Sequence, residues 1–560
     1  MQSKLDQARE QDELRQVLSQ HAYTYFKDKE NVASVIEKLT TLNNNADHPL
    51  ETNEIEEIVK EKSKRKMVEK GDKENYIAVF PGLIDLVTND EEELEFLIVD
   101  KKTKAIETQK IVEIDKKIYL PPPKSSLPKE LIFPYKTNIL KYIKERQNSP
   151  IIYNVTDDTE LTGLTGLTDD QAIISTKAYD SLLYEDLFNY FYEASEPPRP
   201  EYYDLFVLWT FHNHSLEKVD FSPILYFLGL PEKGKSRTLK ALTYSAYRGL
   251  RKISITDAGI VRDSTNLNAT LLLDMMDLWK KVDKSGSEDV FLNRPERGAT
   301  VSRVNRPEKG PFLDTDYFDV FVATTFATNE VINDILETRA IPIIMKNSKR
   351  KFPARLTPKL GLPLRERLIA WRATTYYQRL PQKEAIARGR LGDITLPLYE
   401  LSLVVSPHKT ELFKKLVEDI KNSKRKDRSE GENGEVLKAV IAEREMVKNS
   451  LIKNTFILNK FNEDKGDREK WTAKRMANRL KTMGFGAATW EDSSAAILWS
   501  LDFINNLCDE YGINPIQPSS VSSEAPKAPE VPVTLDTMGH IEDIDNLSLP
   551  EQDYAKEADN

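Results

Sequence analysis

Apolar residues recur at helical spacing along the first part of the chain: Leu14, Val17, Leu18, Ala22 and Phe26, then Val32, Val35, Ile36 and Leu39. Steps of three and four predict amphipathic helices, each with one buried stripe. The run Thr41–Leu50, rich in asparagine and carrying Pro49, interrupts the pattern. Glu54–Lys60 then opens another helix with acid in its first turn. Past residue 75 the period falls to two. Tyr76–Phe80, Phe96–Val99 and Lys116–Leu120 read as short strands, and Pro121, Pro122 and Pro123 begin a linker. Leu183–Phe211 is dominated by aromatic and aliphatic residues and predicts helices packed on the flank of a core. Ile224–Leu228, Ala269–Asp274 and Phe318–Thr325 are apolar runs of strand length. Asp334–Ile343 reads as a short helix and a strand with Arg339 between them.

Ala299–Phe312 predicts a β-hairpin with Pro307, Glu308, Lys309 and Gly310 at its tip. From about 430 to 512 the pattern is that of a winged helix. Glu435–Ile441 starts a helix. Thr472 is a candidate N-cap and Gly484 a candidate C-cap of a second one. Its stripe is Ala473, Met476, Ala477 and Leu480. Lys474, Arg475, Asn478 and Lys481 face outward, as a recognition helix requires. Ala488–Trp490 and Ala496–Trp499 make the wing. The segment after Pro515 is rich in proline, serine and acid and cannot build a core; Ile541–Leu549 is a candidate partner-binding peptide.

Composition narrows the setting. A chain of 560 residues is too long for one core. A net charge of -10 argues against a uniformly basic nucleic-acid coat, though basic runs stand at Lys60–Lys66 and Lys346–Lys351. One cysteine, Cys508, excludes a disulfide framework and a cysteine-rich zinc site. The polar start shows no signal peptide, and the longest apolar stretch, Leu205–Phe211, is too short for a bilayer. The expectation is a soluble cytoplasmic protein with no membrane partner.

The candidate chemistry sits at Gly229–Ser236, which fits the phosphate-cradle pattern G-x-x-x-x-G-K-[ST]. Gly229 and Gly234 let a tight loop turn backbone N–H groups onto phosphate oxygens. Lys235 reaches the outer phosphates, Ser236 holds Mg²⁺, and Arg237 adds a nearby cation. The strand before and the helix after are the required context, since a helix N-terminus favours anions. Asp274, at the end of an apolar strand, is the candidate second metal ligand. Asn329 is the candidate contact to the γ-phosphate or its attacking water, with Thr325 second. ATP and Mg²⁺ are the expected cofactors.

In this order of motifs, residues 185–400 resemble AAA+ ATPases. Within these they resemble the replicative helicases of bacterial mobile elements, phages and plasmids, which are similar to MCM helicases. The N-terminal order of helix, Asn-rich turn, Pro49-Leu50 and acidic helix resembles the helical module at the C-terminus of phage and plasmid primases. The first resemblance implies a hexameric ring with shared ATP sites. In it Arg339 would be the arginine finger, and Arg390, with Arg365 and Arg367 as rivals, the second sensor. The family usually shows Asp-Glu where this chain has Asp274-Met275-Met276-Asp277. Methionine accepts no proton, so Asp277 is the candidate base. The resemblance also makes the hairpin a lever on single-stranded or forked DNA, with Arg303, Arg306 and Lys309 as its cations.

The expected fold class is α/β. A helical N-terminal domain (1–70) precedes a small β-rich accessory domain (71–125) and a linker or accessory region (126–182). An AAA+ phosphate-loop core (183–380), a helical lid (381–430), a winged helix (431–514) and a disordered acidic tail (515–560) follow. The leading expectation is an ATP-driven hexameric helicase. An initiator or regulatory ATPase without processive unwinding, and a DNA-binding scaffold with a degenerate ATP site, are the alternatives. No priming site is visible, so any priming needs a primase partner.

Overall fold

The computed structural model describes residues 2–27, 30–59, 62, 75–156, 172–310, 312–332, 334–352 and 355–516. The basic run Lys60–Lys66, apart from Lys62, and the tail beyond Ile516 lie outside the described residues. The chain forms two compact units, residues 1–427 and 428–560. The second begins close to the expected boundary at 431.

The strands are β1 Leu83–Thr88, β2 Leu94–Val99, β3 Ile106–Gln109, β4 Val112–Ile114, β5 Lys117–Tyr119, β6 Ile151–Thr156 and β7 Ala172–Lys177. They continue with β8 Ile224–Leu228, β9 Leu250–Lys252, β10 Leu271–Asp274, β11 Thr300–Val304, β12 Thr315–Asp319, β13 Thr324–Thr328 and β14 Ala340–Ile344. The C-terminal unit holds β15 Leu451–Lys453, β16 Ala487–Thr489 and β17 Ala495–Leu498.

The first unit is built on a parallel five-stranded sheet, in the order β14-β8-β13-β10-β9. Its middle strands are buried on both faces, which is why Ile224–Leu228 and Leu271–Leu273 read as unbroken apolar runs. The chain leaves β8 for the far edge, returns through β10 and β13, and crosses to β14. That reversal at β8 makes a switch point, where open α/β sheets leave a crevice at the carboxyl ends of their strands. The helices Ala178–Ala194 and Glu201–Asn213 cover one flank with Leu183, Phe206, Trp209 and Phe211, as expected from their composition.

One expectation changes. The apolar run Phe318–Thr325 is not one strand. It breaks at Asp319, whose Oδ1 accepts from the Phe321 N–H at 2.8 Å, so β12 ends in the hairpin and β13 starts afresh in the main sheet. The β-rich region is joined to the core by buried contacts. Asp85 of β1 pairs with Arg248 at 2.7 Å, and each side chain is only 2% exposed. Tyr247 Oη and Arg372 Nε both donate to the Ile84 carbonyl at 3.1 Å. The described part of the region 126–182 carries packed helix as well. The helix Lys136–Gln147 packs on the helix Pro358–Thr375, and its Arg146 makes a buried pair with Asp180 at 2.7 Å.

In the N-terminal helices Leu18, Ala22, Phe26, Val35 and Leu39 are buried, whereas Val17 is exposed. Asn43 closes the turn by reciprocal bonds with the backbone of Leu50, at 3.0 and 2.8 Å. The C-terminal unit packs helices Glu432–Ala442, Asn454–Asn462, Ala473–Thr482 and Leu501–Tyr511 with a β15-β17-β16 antiparallel sheet. Among the described residues no helix is long and apolar enough to cross a membrane.

Candidate functional site

The loop Gly229–Lys233 leaves β8 and enters the helix Lys235–Ser245 through Gly234, whose φ of +83° favours glycine. A Cβ at Gly229 would lie 2.9 Å from the Met345 carbonyl oxygen, so the close approach of this loop to the end of β14 requires glycine. Lys235 Nζ donates to the carbonyls of Gly229 and Leu230, at 2.5 and 2.7 Å. Burial lowers its pKa, and Asp274 pulls the other way.

Ser236 Oγ donates to Asp274 Oδ1 at 2.9 Å. The loop after β8 and the end of β10 thus meet. A hydroxyl and a carboxylate are hard oxygen donors, the chemistry that suits Mg²⁺, so this donor set fits the ion that the loop pattern implies. On its other side Asp274 Oδ2 accepts from Arg251 of β9, at 3.1 Å from Nε and also from Nη2. A cavity of about 460 Å³ opens here, lined by residues 231–237, 274–276 and 327–329. That is within the size range of small-ligand sites.

Asn329 lines this cavity, at the end of β13, with its N–H directed to the Met276 carbonyl. Thr325 does not; its hydroxyl donates to the Leu225 carbonyl at 2.7 Å inside the sheet. Asp277 stands outside as well. It is exposed at the start of the helix Leu278–Ser285 and adds to the pull on Lys280, which pairs with Glu330 at 2.7 Å. Met275 is buried, and Met276 projects at the cavity's edge. The carboxylates that line the cavity are Asp274 and Glu232.

Arg237 lines the cavity, but its guanidinium is engaged: Nε donates to the Ala194 carbonyl at 2.6 Å and the group stacks over Phe352. Arg390 does not reach the cavity. It pairs with Glu296 at 3.0 Å. Arg339 stands between its helix and β14, donating to the Ile335 carbonyl at 3.1 Å. The rivals are also engaged elsewhere, Arg365 with the Ile132 carbonyl and Arg367 with Asp186. The helix Gly389–Val405 therefore brings no arginine to this cavity from its own chain.

A hairpin forms, but its return strand is Thr315–Asp319, beyond the expected end at Phe312, with Thr300 opposite Asp319 and Val304 opposite Thr315. Its cations differ in role. Arg303 grips both oxygens of Asp257, at 2.8 and 2.6 Å, tying the hairpin to the helix Asp257–Leu267. Arg306 pairs loosely with Asp316 at 3.7 Å, while Lys309 stands exposed at the tip. Phe312, near the tip, is 98% exposed.

In the C-terminal unit Thr472 caps the helix Ala473–Thr482 by accepting from the Arg475 N–H at 3.3 Å, and Gly484 follows its end at φ +90°. Met476 and Leu480 are buried. Ala473, expected in the buried stripe, is exposed. Lys474, Arg475, Asn478 and Lys481 face solvent. Arg475 and Arg479 share Glu432, each at 2.8 Å, and Arg475 stacks over Trp471. At the β16–β17 turn, bonds from Lys453 and Ser494 hold the Asp492 carboxyl far below its usual range.

Two partners escaped the pattern. Arg251 lies in a strand of three residues, too short to show a period, and its contact to Asp274 is non-local. Arg479 recurs four residues after Arg475 on one helix face, a spacing that could have exposed it.

No protein-family profile and no curated protein matches the chain. Among solved structures, the apo C-terminal region of NrS-1 is similar with a TM-score of 0.31 and 12% identity, covering 75% of this chain and 96% of that one. The SCCmec type IV Cch active helicase has a TM-score of 0.30 and 11% identity, covering 82% and 84%. JCV helicase has a TM-score of 0.20 and 11% identity, covering 43% and 65%. At these scores the likenesses assign neither a residue role nor an activity to this chain.

Proposed function

We propose that the protein is an ATP-driven DNA helicase or translocase of the AAA+ class, working as a hexameric ring in replication of a mobile genetic element. The observation that carries the nucleotide half is the bond between Ser236 and Asp274 beneath a glycine-rich loop at the sheet's switch point. Bound there, Mg²⁺ would neutralise charge at the outer phosphates. Lys235 exchanges its loop carbonyls for phosphate oxygens. The amide of Asn329 bonds the γ-phosphate or its attacking water. Arg339 serves the site of a neighbouring copy.

For DNA, Lys309 and Arg306 at the hairpin tip contact the backbone, while Arg303 anchors the hairpin. The C-terminal unit has the order helix, strand, two helices and a two-stranded wing. That order supports a winged helix with Lys474, Arg475, Asn478 and Lys481 on its DNA-facing helix.

A specific observation favours a second reading. Asp277 stands outside the cavity, and Met275 follows Asp274 where a base is wanted. A site that binds nucleotide but lacks a positioned base suits an initiator or regulatory ATPase that responds to ATP without processive unwinding.

Strand separation on a forked duplex with ATP, run on wild type and Lys235→Ala, decides between them. Separation by wild type alone supports the motor. ATP-dependent DNA binding without separation supports the initiator. Absence of nucleotide binding by wild type removes both.

A further inference from the structure

Both oxygens of Asp274 are occupied. Oδ1 takes the Ser236 hydroxyl, and Oδ2 takes Arg251 through two nitrogens. Arg251 sits in β9, the strand beside β10, with its Cα opposite Leu272. The Asp274 side chain is only 14% exposed, so its attraction to the guanidinium is screened less than that of a surface pair. An arginine does not shed its charge. The ladder with β10 holds the backbone of β9, and the next residue, Lys252, pairs with Asp263 at 2.6 Å. Lys235, one of the cations at the loop with Lys233 and Arg237, rests on backbone carbonyls.

A divalent cation approaching without phosphate therefore meets a carboxylate already neutralised, with Arg251 and Lys235 repelling it. A polyphosphate reverses that balance. It draws off Lys235, supplies oxygen ligands and adds negative charge. We infer that Arg251 is a positioning residue that competes with the divalent cation for Asp274, so that the empty site turns away the free ion and accepts it together with a phosphate-bearing nucleotide. This rests on the nucleotide-site reading above.

The test titrates Mn²⁺ into the full chain, with and without ADP, and follows free ion by electron paramagnetic resonance. Wild type binds Mn²⁺ at least about tenfold more tightly with ADP present than without it. Arg251→Gln binds Mn²⁺ without nucleotide about tenfold more tightly than wild type does, and gains less from ADP. Arg251→Lys keeps the charge but loses the two-point grip and falls between them. It carries the test if the glutamine variant does not fold. Nucleotide-free Mn²⁺ affinity equal to wild type in the folded variants overturns the role of Arg251. A fluorescently labelled ADP run in parallel separates the two failures. If wild type binds no ADP at any Mg²⁺ concentration, the nucleotide-site reading itself is lost. If ADP binds but Mn²⁺ affinity is indifferent to residue 251, only this inference fails.

Discussion

Arg390 pairs with Glu296 at 3.0 Å, and the charges of both act on Arg339. Burial lowers the pKa of the Arg339 guanidinium, Arg390 adds to that, and Glu296 opposes it. Neither lines the cavity of its own chain. Arg339→Ala is expected to keep nucleotide affinity while turnover falls by about a thousandfold, the order seen when an arginine finger is removed. Arg390→Ala should cost far less. Titration of labelled ADP beside steady-state turnover checks both. An equal loss of ADP binding would place Arg339 in its own chain's site.

Asp277 is expected to matter little to chemistry. Asp277→Asn should stay within about twofold of wild-type turnover, because the carboxylate stands outside the cavity, whereas loss of a general base costs about a hundredfold or more. A fall of that larger size in steady-state ATP turnover would restore Asp277 as base.

The hairpin cations separate by assay. Lys309→Ala should weaken DNA binding on any sequence and reduce the salt slope by about one, as loss of one phosphate contact does. Arg303→Ala should leave the slope alone and destabilise by about 1 kcal/mol, the scale of a partly exposed pair with Asp257. Fluorescence anisotropy across a salt series, with thermal melts alongside, distinguishes them.

Asp85→Asn is expected to destabilise the first unit by about 3–5 kcal/mol, because Arg248 would be left buried without its counter-charge. Urea unfolding measures this. A change under about 1 kcal/mol would mean that Arg248 finds another partner or water.

Stability should fall below neutral pH for a local reason. His212 and His214 are fully buried, and desolvation lowers both to about 3 from the ordinary 6.5. Between those values the unfolded chain binds protons that the folded chain refuses, so unfolding free energy rises with pH. The contribution is complete above about pH 6.5 and is lost progressively toward pH 3. Melting temperatures equal at pH 5 and pH 7.5 would contradict it.

What was legible in the chain was chemistry compressed into neighbours. Gly229 to Ser236 carries its loop, cation and hydroxyl within eight consecutive residues, and it lies between β8 and the helix Lys235–Ser245. The helix Ala473–Thr482 was legible through its cap and stripe. Non-local facts were hidden. Asp85 looks like any strand acid until Arg248 meets it from 163 positions away. Phe318–Thr325 looks like one strand because the turn at Asp319 is made by a single side chain within an apolar run. The place of Asp277 depended on where a helix begins, and its N-terminus at Leu278 leaves the carboxylate outside the cavity.

The hairpin is tied to the helix Asp257–Leu267 near both ends of its ladder. Thr265 Oγ1 holds the root, donating to the Asp319 carbonyl at 3.0 Å, and Arg303 holds the ladder one pair short of its far end, so that the exposed tip with Lys309 lies beyond both ties. A load on that tip arrives at the helix Asp257–Leu267. The same helix takes the Lys252 ammonium on Asp263, one residue along β9 from the guanidinium that holds Asp274. Strain applied at the tip is thus delivered within one strand of Asp274.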